Sequence, residues 1–581
     1  MEIEKLFLIS FLLSSFKITS ADVIVETKNG KVAGIEVNSI IPNEKYYSFL
    51  GIPYAQPPIG ELRLKAPKPH QGWKDILEAK KEKNACPQFY LPVRKVKKHG
   101  FFGDEDCLHL SIHTPNIPNP NLNLATIVFL YNEHFRISFN ASKEYGPDFF
   151  MKENVILITV HHRLGALGFL SYEDEVLPGN QGLRDVILAL RWIQDNIKNF
   201  GGNPTKVTLM GSQGGGALAD LLLQSPKAKG LFSGVILQSG HSWDPFYLEE
   251  NPKKKAIALG EALEDTFTSS SYIAKRIADY SPQKISESEH LAVHADDSRH
   301  TQRAVVAFGP SIEPDHPEAV ITALPEDSDM EINIPIMIGY NSRESIEAAE
   351  HLLHKPQYLT YADRDFLFLF PIRVNYHFKI NDKVYYEAIE KVKDFFLEEG
   401  YVKVSKPGEY LSYISDTFTF YPTDYAVRKY TNISTSPVYY YIFDYSGDLN
   451  MRKKTSLKHA VNIDGTWGAS VADELCYLFV CSPRNLYKKL LEDKESEEIK
   501  VLNNMVKMWT NFAKTGNPTP PGEKFTWEPA TKENKKCLVI SDELEMRNNI
   551  REDVVKFWDD FLSSYSEKAV NKVIQDVKDE L

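Results

Sequence analysis

Six short apolar runs rich in β-branched residues punctuate the chain: Thr126–Tyr131, Val155–Val160, Lys206–Met210, Gly234–Gln238, Ile334–Gly339 and Val438–Tyr445. A strand with one wet face alternates polar and apolar side chains. These runs do not alternate, so both faces must be covered, as in a parallel sheet sandwiched between helices. The stretches between them supply such helices. In QGLRDVILALRWIQDNIKN (181–199), Leu183, Ile187, Leu190 and Ile197 fall on one stripe. Alternating strands and helices predict an α/β protein with a large, mostly parallel, doubly wound sheet. The chain is 43% apolar and 25% charged, which excludes disorder, collagen and coiled coil as the main architecture. It shows no internal repeat and no low-complexity linker, so residues 22–565 read as one large unit.

The two ends carry an address. Residues 6–16, LFLISFLLSSF, form an apolar run too short to span a bilayer, followed by Lys17 and the small residues Ser20 and Ala21. This pattern predicts a signal peptide over residues 1–21. A charged tail, 566–581, ends in Lys578, Asp579, Glu580 and Leu581, the tetrapeptide read by the retention receptor of the endoplasmic reticulum. Together they predict a soluble protein of that lumen. No second apolar stretch approaches twenty residues, so no membrane span is expected. The formal charge of −12 disfavours nucleic acid as a partner. In such a compartment Asn140 and Asn432, each heading an Asn-x-Ser sequon, are candidate N-glycan acceptors. Five cysteines are present: Cys86, Cys107, Cys476, Cys481 and Cys537. A bridge closing the loop between Cys86 and Cys107 would stabilise by roughly 3 kcal/mol in the chain-entropy model. The odd count leaves at least one thiol free or shared with another chain.

Chemistry is expected at VTLMGSQGGGALADLLLQS (207–225), which reads as a strand, a glycine-rich turn and a helix. In an α/β-hydrolase such a turn, G-x-S-x-G, presents a serine nucleophile. Here Gly211 and Gly215 bracket Gln213. The flanking motifs FLGIPYAQPPIGELRLKAP (49–67), EDCLHLSIHTP (105–115), HHRLGALGFLS (161–171), GNQGLRDVILALRWIQDNIKNFGGNPTKVTLMG (179–211) and LFSGVILQSG (231–240) follow in order. On these the chain resembles the type-B carboxylesterase and cholinesterase family, which implies the α/β-hydrolase fold.

The resemblance also implies where catalytic groups should stand. The family serine falls on Gln213, its glutamate on Glu344 in Gly339-Tyr340-Asn341-Ser342-Arg343-Glu344, and its histidine on Val471 in GASVADELCYLF (468–479). Its His-Gly-Gly oxyanion turn falls on Tyr131, Asn132, Glu133 and His134, with Gly214 supplying a further amide. A carboxamide has no lone pair that a base could make nucleophilic, and valine cannot carry a proton. Glu133 is expected to place negative charge where an oxyanion would develop. Loss of one member of such a triad costs about 10⁴–10⁶ in turnover. Among neighbours, Ser212 is one residue early and should face away from the pocket. Ser239 reads as structural, and His459 lies twelve residues before Val471, out of reach without a rebuilt loop. His134 is the one histidine that the resemblance places in the cleft. His161-His162 would need further ligands to hold a metal, and no metal or cofactor is expected.

The resemblance further implies buried ion pairs Arg63–Glu105 and Arg163–Asp185 and a Cys86–Cys107 disulfide. No Trp lies between those cysteines, so the choline platform of cholinesterases is missing. That loop carries Arg94, Lys95, Lys97, Lys98 and His99 instead, a solvated basic loop or a rim for an acidic partner. The leading expectation is a catalytically degenerate, esterase-like lumenal protein that binds an apolar small molecule or a partner protein. The alternative is a carboxylic ester hydrolase with a rearranged site.

Overall fold

The computed structural model describes residues 22–90, 100–138, 144–294, 296–328, 330–493 and 495–576. The expected signal peptide, the basic loop at 94–99, Asn140 and Lys578–Leu581 lie outside the described residues.

The strands that carry the site are β1 (Leu124–Asn132), β2 (Ile156–Val160), β3 (Gly202–Gln213), β4 (Gly234–Gln238), β5 (Ile336–Asn341), β6 (Val438–Phe443) and β7 (Lys536–Ile540). They lie in the order β2-β1-β3-β4-β5-β6-β7, all neighbours parallel. Antiparallel strands extend the sheet at both edges, and with the short parallel strand Leu77–Glu78 it has thirteen strands among the described residues. This is the large, mostly parallel sheet of an α/β-hydrolase. The six expected strands are present, and Gly234–Gln238 keeps the expected bounds. The expected helix at 181–199 is an α-helix over Gln181–Asn196, continued as a 3₁₀ turn over Ile197–Phe200.

Burial explains the unpatterned strands. Every residue of β4, β5 and β2 is buried. Helices cover both faces, so the core forms two layers. Leu183, Leu190 and Ile193 lie in the layer on one side, and Trp509, Met505 and Phe512 in the layer on the other. The implied ion pairs form: Arg63 Nε to Glu105 at 2.6 Å, and Arg163 Nη2 to Asp185 at 2.6 Å with both side chains almost wholly buried. Arg163 also donates to the carbonyls of Arg63 and Lys65, so its guanidinium staples an early loop to the strand-following segment.

Cys86 and Cys107 are bonded. Cys476 pairs with Cys481, and Cys537 is the free, buried thiol. At the C-terminal end, Val573–Ile574 pairs with His377–Phe378. Asp576 accepts from the backbone amides of Lys383 and Val384 in the first turn of the helix Lys383–Phe396. The end of the chain is therefore tied to the body as far as Asp576. Among the described residues, no helix is long and apolar enough to cross a membrane.

Candidate active site

β3 runs without interruption to Gln213, paired with β1 through Asn132, and the helix Gly214–Leu223 starts at the next residue. Nothing but a sharp reversal can join them. Gln213 makes it with φ 53° and ψ −124°, a conformation that L-residues avoid. The glycines allow the close crossing. A Cβ on Gly211 would sit 2.2 Å from the Gly215 carbonyl, and one on Gly215 would sit 2.2 Å from that of Leu130. The reversal points Gln213 into a cavity of about 650 Å³ at the carboxyl ends of the strands. The side chain is 4% exposed, and its Nε2 has no hydrogen-bond partner among the described residues.

Glu344 and Val471 line the same cavity, as do Glu133 and His134. The turn after β5 places Glu344, whose Oε1 accepts from Ser239 Oγ at 2.6 Å and from the Asn341 amide at 2.8 Å. Ser239 follows β4 directly with φ 52° and also faces the cavity. Burial pushes Glu344 up to about 8; the Ser239 hydrogen bond opposes that rise and Glu474 reinforces it. Asn341 Nδ2 links Glu474 to the group, donating to Glu474 at 2.5 Å and to Ser239 Oγ at 3.3 Å; Gln238 Nε2 also donates to Glu474 at 3.1 Å, and burial pushes Glu474 up to about 7. The pair is thus a buried carboxylic-acid cluster that holds protons near neutrality.

The turn in the oxyanion position has a different construction from the one expected. Glu133 N–H donates to Ile137 O at 2.7 Å and is already committed. Asn132 is buried: its Oδ1 accepts from Phe135 N at 2.8 Å, and its Nδ2 lies 3.3 Å from His162 Nε2. A Cβ on Gly214 would meet Asn132 Oδ1 at 2.0 Å, so the amide side chain crowds the start of the helix. His134 and Phe135 hold φ 49° and 60° with full side chains, and the His134 ring stacks on Tyr247.

One expectation needs correcting. Glu133 is no bare charge in the cavity. Arg452 pairs with it, Tyr131 OH donates to it at 2.7 Å, and Arg452 also reaches Glu347 at 3.3 Å. The counter-charge removes most of the repulsion expected from the acid alone. Arg452 lies 319 residues from Glu133, so no local motif could have revealed it.

Two expectations about neighbours are corrected: His134 shares the cavity with His290 and His294, and Ser239, read as structural, faces it too. Ser212 Oγ is buried without a hydrogen-bond partner among the described residues and does not line the cavity. His459 is exposed and stacks edge-on with His354, away from the site. His161 and His162 are buried, and burial lowers both. Among the described residues no group of three His, Cys, Asp or Glu side chains could hold a metal ion. Sequence reasoning missed the apolar wall of Phe246, Val305, Val306, Ile414 and Phe418, which arrives on helices and loops without a signature.

With this geometry in view, residues 21–558 match the model of the Carboxylesterase family. The chain belongs to that family. It is 30% identical to the juvenile hormone esterase of Tribolium castaneum over 546 residues, which span 90% of this chain and 88% of that protein. It is 29% identical to esterase FE4 of Myzus persicae, over 87% of each chain, and 27% identical to the cholinesterase of Mus musculus, over 93% of this chain and 87% of that one. The carboxylesterase fold recurs in the crystal structure of juvenile hormone esterase from Manduca sexta with OTFP covalently attached: TM-score 0.75, 24% identity, covering 93% of this chain and all of the other. That last likeness speaks to fold alone.

Proposed function

We propose that this carboxylesterase-family protein has lost ester hydrolysis and acts by binding in the lumen of the endoplasmic reticulum. The observation that carries the reading is Gln213 itself. It occupies the strained reversal between β3 and its helix and faces the cavity shared with Glu344 and Val471. A carboxamide there cannot be made into a nucleophile, and Val471 offers nothing to receive a proton. The committed amide of Glu133 weakens the other half of the machinery, stabilisation of a developing oxyanion. Glu344 alone survives of the expected catalytic groups, and it serves Ser239 and Asn341. Asn432 is exposed and suits an N-glycan, although its Nδ2 now donates to Arg428 O.

A second reading has one specific observation behind it. Ser239 Oγ donates to Glu344 at 2.6 Å, and both face the cavity. In a rearranged hydrolase the Ser239 oxygen would attack the ester carbonyl while its proton passed to Glu344. The alcohol would leave with that proton, and water would release the acid. Burial holds Glu344 protonated below about pH 8, which opposes a base role at neutrality.

A fluorophosphonate probe separates the two. No label on the wild type is expected. Label on the wild type that disappears in Ser239→Ala would establish the hydrolase reading instead. For the location, deleting Lys578–Leu581 should move the protein from cells to medium. Identical partitioning of both forms would refute retention.

A further inference from the structure

The cavity also has a chemical preference, which can be read from the charges that face it. Four acids line it. Burial pushes Glu344 up to about 8, so it is uncharged at neutral pH, and burial raises Asp244 well above its ordinary value. Glu133 and Glu347 share Arg452, and burial pushes Glu347 up to about 7, so the guanidinium offsets most of the charge of the two acids. Arg136 is the one arginine or lysine of the described lining, which also carries the histidines His134, His290 and His294. Arg136 lines the cavity half-buried, and among the described residues its guanidinium makes no ion pair and no side-chain hydrogen bond. The carboxyl that feels its charge, Glu289, is itself pushed up to about 7 by burial and makes no close contact with it. A half-buried guanidinium without an ion-pair partner is poorly solvated, and a planar bidentate anion is its natural complement. The rest of the wall is apolar: Phe246, Val305, Val306, Ile414 and Phe418. A volume of about 650 Å³ lies in the range of cavities that enclose a single small organic ligand.

We infer that the cavity takes an amphipathic monocarboxylic acid, its carboxylate on Arg136 and its apolar chain along the Phe246–Phe418 wall. This rests on the binding reading and sharpens it, because it sets the acid against its own ester. An ester keeps the apolar body but brings no charge to Arg136. An ordinary esterase pocket would take the ester as well as or better than the acid.

The test is fluorescence titration with 11-(dansylamino)undecanoic acid and with its methyl ester. Wild type should bind the acid about 10- to 100-fold more tightly than the ester, the range expected for a hydrogen-bonded ion pair. Arg136→Gln should erase that advantage while leaving ester affinity unchanged, which also shows that the variant is folded. Val305→Trp should weaken both probes by filling the chain site. The inference is overturned if acid and ester bind wild type equally, if Arg136→Gln leaves acid affinity intact, or if neither probe binds. Chromatography of the same mixtures keeps the two readings apart. Turnover of the ester by wild type would sink the loss of hydrolysis, whereas the preference for the acid is judged by the dissociation constants alone.

Discussion

Consider restoring the two missing side chains, Gln213→Ser with Val471→His. The new serine would inherit φ 53° at the end of β3, and Glu344 would again have an imidazole within the same cavity. Nucleophile, base and acid would be present, so acylation by an activated ester should become measurable. Its rate is set by what the double variant leaves unrepaired. Glu133 N–H still donates to Ile137 O. One committed oxyanion donor, at about 3–4 kcal/mol, amounts to a factor of about 10²–10³. Set against a median enzyme turnover of about 10 s⁻¹, the double variant should reach about 10⁻²–10⁻¹ s⁻¹. Replacing residues 131–134 by His-Gly-Gly-Gly on that background should recover at least about 10²-fold. Release of p-nitrophenolate from p-nitrophenyl acetate measures all three proteins, with circular dichroism to show that each is folded. Two results would refute the reasoning: a double variant as fast as an ordinary esterase, or a wild type as active as the loop-replaced form.

Two further outcomes follow from the same structure. Replacing Cys86 and Cys107 by Ala should lower stability by about 2–5 kcal/mol in denaturant titration, and non-reducing peptide mapping that finds both thiols free would end that expectation. Glu344→Gln should change how stability depends on pH. The folded carboxyl sits at about 8 against 4.5 unfolded, so its contribution is complete below pH 4.5 and is lost as pH rises towards 8. The wild type should therefore lose stability relative to Glu344→Gln between about pH 5 and 8, and parallel melting curves across that window would show that Glu344 is already ionised.

Much of this was legible because buried parallel strands must be apolar on both faces. That constraint gave Gly234–Gln238 its bounds. The run Lys206–Met210 stopped three residues short, because Gly211 reads as a turn. In the fold it is still strand, with glycine there to let Gly215 approach. Gln213, Glu344 and Val471 were legible because each sits in a local motif. The Arg452–Glu133 pair and the Arg136 guanidinium were not, since their meaning depends on partners, present or missing, that only folding assembles. The pairing of Cys476 with Cys481 rather than with Cys537 was equally out of reach, being settled by which side chains the fold brings close.

The reversal at Gln213 has a wider consequence. Its backbone is as contorted as a nucleophile would require, yet no nucleophile stands there. The contortion must therefore be imposed by the join itself: a strand that ends in register with its neighbour and a helix that begins at the following residue across glycine contacts too tight for any Cβ. Reactivity in such a scaffold is a tenant of the architecture rather than its cause. The cavity that the reversal faces therefore owes its walls to the strands and helix that meet there, whatever side chain the turn presents.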